Sequence, residues 1–285
     1  MSTKPNIVMN RATVLASGLL AGTIAATAAG SLGGPLELQD EGVFYINGQI
    51  ATTNFSGAPP AEASGQITID QMYVQYMIPM QRRHKYPVVF AHGAWHTGKT
   101  WEETPDGREG WVNYFARQGF STYWVDKTWR ARSAFNAQTI NAVARGDADV
   151  STLPNIYVTG RQGWAAFRFG PSFGVANPGV QFPLEAVDEY FKQLVPDFSE
   201  WLRGSPVAQT YPAMTAAAEA LLTKIGPAVY IGHSQGGAEI PGIVRDRPDP
   251  ALFAGVISVE GGACPPVEDA PDVSRGKALA PLVQE

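Results

Sequence analysis

The sequence predicts an α/β protein built on one mostly parallel sheet with helices on both faces. Three observations carry this expectation. Short, nearly continuous apolar runs recur at 87–91, 120–125, 228–231 and 252–259, and runs of this length mark strands buried on both faces. Helix-like stretches lie between them, at 111–118, 213–225 and 236–245. Gly119 and the pair Gly226-Pro227 stand where the first two of these helices should stop. Strands separated by helices in this rhythm give a parallel sheet covered on both sides.

The elements before the first buried run differ. Residues 31–42 read as a polar, Gly-rich lead-in. Val43 to Gly48 and Ile67 to Pro79 read as two strands, with a Pro/Gly/Ser/Ala loop over 52–65 between them. In the second strand Ile67, Ile69, Met72, Val74, Tyr76 and Ile78 nearly alternate, as a half-buried antiparallel strand requires. The strand–helix rhythm pauses over about 128–206, which holds Pro171, Pro178, Pro183 and Pro196 and many aromatic residues. A helix is expected near Pro183 to Leu202. Its apolar face would carry Leu184, Val187, Phe191, Leu194, Phe198 and Leu202, and Pro196 would kink or split it. This excursion reads as a cap over the C-terminal edge of the sheet.

Composition sets bounds on function. The 285 residues suffice for one large α/β domain, 45% are apolar, and the net charge is −5. No basic stripe is present, so nucleic acid is not an expected partner. Lys4 and Arg11 precede the uncharged run Ala12 to Gly30, and Ala26-Thr27-Ala28 fits the small-x-small pattern of a signal-peptidase site. Residues 1–28 are therefore expected to be a signal peptide, leaving residues 29–285 as the domain. They would give a periplasmic or secreted protein with no stable membrane anchor after cleavage. The single cysteine, Cys264, allows no internal disulfide within these residues.

The chemistry centres on Gly232-His233-Ser234-Gln235-Gly236, a G-x-S-x-G sequence with an apolar strand running in and a helix running out. A nucleophile on such a turn is lifted above the sheet edge, and Gly232 and Gly236 leave room for the bend. Cleavage of an ester creates an alkoxide that must be met by preorganised N–H donors. His92-Gly93-Ala94-Trp95 follows a buried strand, where such a loop belongs, so the backbone N–H groups of Ala94 and Gln235 are the expected oxyanion donors. His92 and Gly93 are expected to support that loop, and His96 either lines the pocket or sits on the surface. Glu260, ending the strand 252–259 ahead of Gly261-Gly262, is the candidate triad acid that would orient an imidazole. Glu268, Asp269 and Asp272 are weaker candidates. Trp95, Trp129 and Trp164 are candidates for an apolar pocket or for the core. No metal or organic cofactor is implied.

These residues resemble the α/β-hydrolase superfamily. The stretch Ala91-His92-Gly93 through Arg108, then Arg132-Ser133, Phe167 to Pro171, His233-Ser234-Gln235 and Ser258-Val259-Glu260 is similar to a subfamily of exported bacterial esterases. The resemblance implies a Glu triad acid after strand six, which supports Glu260, and a general base that is a His near the C-terminus. No histidine follows Ser234, so the domain is expected to be truncated at its C-terminus, the base to lie beyond residue 285, and the 285 residues to be nearly inactive alone. The subfamily can carry adjacent cysteines after His-Gly, where Ala94 and Trp95 stand here. It commonly has glycines before Arg132-Ser133, where Lys127 to Ala131 stand, and Trp129 is expected to reshape the pocket. The expected activity is hydrolysis of a small-molecule carboxylic ester through an acyl-enzyme. A non-catalytic relative acting as a binding protein and a Ser-dependent amidase or acyltransferase are the alternatives. The sequence leaves oligomeric state and acyl preference open.

Overall fold

The structure is a computed structural model that describes residues 34–54, 64–153, 160–161, 163–197, 210–245 and 249–261. Residues 1–28, Phe198, Leu202, Cys264, Glu268, Asp269 and Asp272, named above, lie outside the described residues.

One six-stranded sheet organises the chain, in the order β1-β2-β4-β3-β5-β6. β1 (Leu38–Asn54) and β2 (Ser64–Pro79) form a long antiparallel hairpin at one edge. β4 (Thr122–Asp126) pairs with β2 in the antiparallel sense and with β3 (Val88–Ala91) in parallel. β5 (Ala228–His233) and β6 (Phe253–Val259) continue the parallel part. The expected mostly parallel sheet with helices on both faces is thus present, with the hairpin added at its edge.

Both faces of β3 are buried along its whole length, as its uninterrupted apolar run requires. Val89 and Ala91 join a core with Met72, Val74, Val125, Ala217, Leu221, Ile240 and Ile243. That core is closed by α6 (Thr210–Ile225) and α7 (Gln235–Arg245). Val88 and Phe90 point the other way, into a core with Trp101, Val112, Ala116, Trp124 and Ile231. There α1 (Lys99–Glu102) and α2 (Trp111–Arg117) cover the sheet. α2 follows β3 and α7 follows β5, so two neighbouring strands send their helices to opposite faces. A crevice opens at the carboxyl ends of strands where the winding reverses in this way. In this chain it lies between the ends of β3 and β5.

The hairpin strands are longer than the sequence pattern suggested, and they take in part of the 31–42 lead-in and of the 52–65 loop. The imperfect alternation in β2 has a local cause. Asp70 has φ +63 and, across the hairpin, Asn47 and Gly48 have φ +58 and +105. The bend shifts the inward phase from Ile69 to Met72 and Val74. Within the excursion, the helix expected over 183–202 is much shorter: a 3₁₀ turn at Leu184–Ala186 leads into α5 (Val187–Lys192). It stops ahead of Pro196, which cannot continue a helix. The sequence reading missed α3 (Gln138–Arg145), which is held to β1 by Gln138 Nε2 donating to the Thr52 carbonyl at 2.8 Å. It also missed α4 (Gly163–Ala166). Trp164, Phe169 and Tyr190 form a third, aromatic core here with Phe167, Phe182, Leu184 and Val187 around them.

Candidate active site

The strand register brings the predicted residues to one edge. β5 and β6 pair with His233 beside Val259, so Ser234 and Glu260 emerge next to each other. The Ser234 N–H donates to the Val259 carbonyl at 2.9 Å and fixes that juxtaposition. Ala91 of β3 pairs with Gly232 of β5, which sets the His92-Gly93-Ala94 loop alongside the serine turn. Ser234 has φ +51, a left-handed backbone that costs a non-glycine residue on the order of 1–3 kcal/mol. Its carbonyl accepts the Ala238 N–H at 2.9 Å, which starts α7.

The glycines around this bend are required by contact. A Cβ on Gly232 would lie 2.5 Å from the Gly236 carbonyl oxygen. A Cβ on Gly236 would lie 2.6 Å from the His92 oxygen, and one on Gly93 would lie 3.0 Å from Ser234 Cβ. Loop and turn therefore touch through backbone, which brings Gly93 and Ser234 as close as their chains permit.

Ser234 lines a cavity of about 590 Å³ together with Gly93, Ala94, His233 and Glu260. Trp95, Phe167, Phe169, Phe182 and Tyr190 form aromatic walls, and Arg168 and Glu103 add charged groups. Trp95 meets Phe167 edge to face at 5.9 Å. Of the three tryptophans considered for the pocket, Trp95 lines it. Trp164 is buried in the aromatic core beneath, its Nε1–H donating to the Val175 carbonyl at 3.0 Å. Trp129 does not reshape this cavity. Its Nε1–H donates to Asp70 Oδ1 at 2.7 Å, which turns the ring toward β2.

Four histidines occur in the chain, and each is engaged differently. His92 is fully buried. The Lys127 backbone N–H donates to its Nε2 at 3.0 Å, which leaves Nδ1–H to donate to the Gly93 carbonyl at 2.8 Å. Burial, with Arg130 and Lys127 nearby, holds its pKa well below the ordinary histidine value. His96 is buried too, with Nδ1 2.7 Å from the Ala94 carbonyl and its ring against Tyr190. Desolvation lowers its pKa to about 4. His84 stacks on Phe120 with centroids 3.6 Å apart. His233 points Nε2 toward Glu260 at 3.9 Å, and partial burial lowers its pKa against the pull of that carboxylate. Glu260 itself is exposed and has φ +48.

The state of His96 has a measurable consequence. Its pKa is lower in the folded chain than in the unfolded chain, so the unfolded state binds the extra proton first as pH falls. Stability from this group is complete above about pH 6.5 and is lost as pH drops toward about 4. The limiting slope for one group is about 1.4 kcal/mol per pH unit. Urea unfolding followed between pH 7 and 4 is expected to show this decline. His96→Gln is expected to make it shallower, although His92 continues to contribute in the same direction.

A buried charged cluster beneath the loop escaped the sequence reading. Arg130 forms an ion pair with Asp197, and both side chains are almost completely buried. Arg130 Nη1 also donates to the carbonyls of Gly93 (3.3 Å) and His96 (3.1 Å). Lys127 Nζ donates to both Glu239 oxygens, at 2.8 and 3.0 Å, and to Gln235 Oε1 at 2.9 Å. Burial lowers the pKa of both cations against the attraction of their partners. At the end of β4, Asp126 accepts from the Gly98 N–H and from Arg132. The signal available in the sequence was a lysine and an arginine just past a buried strand, with Glu239 inside an apolar helix. Among the described residues, no group of three or more His, Cys, Asp or Glu is gathered as a metal site, and no helix is long and apolar enough to cross a membrane.

The strand order, the tight serine turn at the reversal of winding, and the loop seated against it define an α/β-hydrolase architecture. The comparisons agree. The chain superposes on a solved structure described as the atomic-resolution structure of a novel bacterial esterase, with a TM-score of 0.74 and 39% identity, over 83% of this chain and 72% of that one. It is 30% identical over 206 residues to a protein named "Probable secreted lipase phiG" from Fungal sp. (strain ATCC 74256), a match over 72% of this chain and 53% of the relative. The chain thus spans about half the length of that curated relative. No family model matches. The chain belongs to the α/β-hydrolase family, together with the bacterial esterase it resembles.

Proposed function

We propose that the protein is a serine hydrolase that cleaves carboxylic esters of small molecules through an acyl-enzyme. The observation that carries this reading is Ser234 on a left-handed turn, φ +51, lining the aromatic cavity beside Gly93 and Ala94. In this mechanism the Ser234 oxygen attacks the ester carbonyl. The N–H groups of Ala94 and Gln235 receive the developing oxyanion, and the positive end of α7 adds to that field. The alcohol leaves, and water then releases the acid. Being named esterase and lipase, the relatives favour this reading over amide hydrolysis or a purely binding role. The cap role of 128–206 is supported by Phe167, Phe169, Phe182 and Tyr190, which all face the cavity. Export, with residues 1–28 removed, is favoured by the relative named as secreted.

The proton of Ser234 needs an acceptor held by Glu260. His92 is engaged through both ring nitrogens, His96 has Nδ1 on the Ala94 carbonyl and its ring against Tyr190 and not against Glu260, His84 is stacked on Phe120, and His233 immediately precedes the nucleophile. We therefore assign the base to an imidazole other than these four. Fluorophosphonate labelling followed by peptide mapping tests both parts. A single adduct on Ser234, formed faster when free imidazole is added to the 285-residue chain, is the expected result. An adduct elsewhere, or none, overturns the nucleophile. Fast labelling that is insensitive to added imidazole and is lost in His233→Gln overturns the assignment of the base.

A further inference from the structure

We infer that Arg130 is a positioning residue of the oxyanion hole, and that it acts by locking the peptide plane between Gly93 and Ala94. The inference rests on the serine-hydrolase reading above and goes beyond it. The described peptide bonds include no cis bond. In a planar trans unit the carbonyl and the following N–H point in opposite directions. The Gly93 carbonyl receives two buried donors, Arg130 Nη1 at 3.3 Å and His92 Nδ1 at 2.8 Å. Arg130 lies beneath the loop and is not part of the cavity wall, whereas Gly93 and Ala94 are. The Ala94 N–H on the far side of that plane is therefore aimed into the cavity beside Ser234.

Two further contacts make the aim specific. The next amide, that of Trp95, is turned away: its N–H donates to Asp197 Oδ2 at 3.3 Å. Asp197 is also the carboxylate that holds Arg130. Among the described residues no acceptor takes the Ala94 N–H. On the other side of the hole, Arg130 Nη2 reaches Gln235 Oε1 at 3.4 Å, beside Lys127 Nζ. One guanidinium thus holds the carbonyl of the peptide that presents the Ala94 amide and reaches the side chain of Gln235. Preorganisation of this kind stabilises charge that exists only in the transition state. Loss of the lock must therefore lower turnover and leave ground-state binding in place.

The test compares wild type, Arg130→Lys and Arg130→Met in p-nitrophenyl acetate hydrolysis, with imidazole present at one fixed concentration. Arg130→Lys keeps a buried cation for Asp197, but its single ammonium cannot span Asp197 and the two carbonyls. It serves where Arg130→Met fails to fold, and thermal melting identifies which variants are folded. Loss of one oxyanion donor costs about 10²–10³-fold in kcat. A kcat loss approaching that range, with KM nearly unchanged and a parallel loss in phenylboronic acid affinity, is expected. A folded variant with wild-type kcat, or with its loss confined to KM, overturns the inference. In the wild type, NMR of the boronate adduct is expected to shift the Ala94 amide strongly and the Trp95 amide little; the reverse also overturns it. If wild type forms no adduct at Ser234 with boronate or fluorophosphonate, it is the hydrolase reading that fails.

Discussion

Replacement of Ser234 by alanine is expected to abolish ester hydrolysis when the general base is present, with a loss of up to about 10⁶-fold in kcat. With the base assigned, as proposed above, to an imidazole other than the four named, the same substitution should cost far less when no imidazole is added. Members of a nucleophile–base pair act as a unit, so removing the second adds little once the first is missing. The residual rate over water then comes from the oxyanion donors and from binding. Initial rates on p-nitrophenyl acetate for wild type and Ser234→Ala, each with and without imidazole, measure this non-additivity. Equal activity of the two proteins when imidazole is present would refute the role of Ser234.

The second large effect is expected at Gly232. An alanine there would place Cβ 2.5 Å from the Gly236 carbonyl oxygen and 2.6 Å from its carbon. Both contacts are backbone, so no side-chain rotation relieves them. The strand-to-helix bend must open, moving Ser234 away from Gly93 and loosening α7 from β5. Overpacking of a tight interior costs about 1–3 kcal/mol, occasionally more, and each kcal/mol lowers Tm by roughly 2–4 °C in a domain of this size class. Gly232→Ala should therefore melt about 2–12 °C lower and lose its reaction with fluorophosphonate. Gly255→Ala is the control. Its added methyl would meet Val229 only at 3.8 Å, and both Tm and labelling should stay near wild type. A Gly232→Ala protein as stable and as reactive as wild type would show that the bend does not need its glycine.

Much of this arrangement is legible in the sequence because it depends on local pattern. A strand buried on both faces must be apolar at every position, and β3 reads that way from Val88 to Ala91. The bend at Ser234 needs small residues at fixed offsets, and Gly232 and Gly236 supply them. The place of Glu260 follows from strand order, since β6 ends where β5 ends. What was not legible is long-range. Charged side chains usually signal solvent, so Lys127 and Arg130 drew no notice as interior residues. Their burial depends on Glu239 and Asp197, which lie far along the chain. The apolar face Leu184, Val187, Phe191, Leu194, Phe198 and Leu202 suggested a longer helix because its spacing continues past Lys192, whereas the helix stops there, ahead of Pro196, and Asp197 turns inward. Trp129 was misread for a related reason: a bulky ring near a site suggests a pocket wall, but its partner Asp70 belongs to the distant edge hairpin.

The backbone of Trp95 is clasped from both ends by the segment after α5. Its carbonyl accepts the Val195 N–H at 2.8 Å, and its own amide is held by Asp197. The Trp95 wall of the cavity and the neighbouring Ala94 amide, proposed above to meet the reacting oxygen, are consequently one mechanical piece. A guest too bulky for the chamber cannot push the wall aside without tilting the amide, so a poor fit would be felt in the rate of bond breaking and not only in how tightly the guest is held.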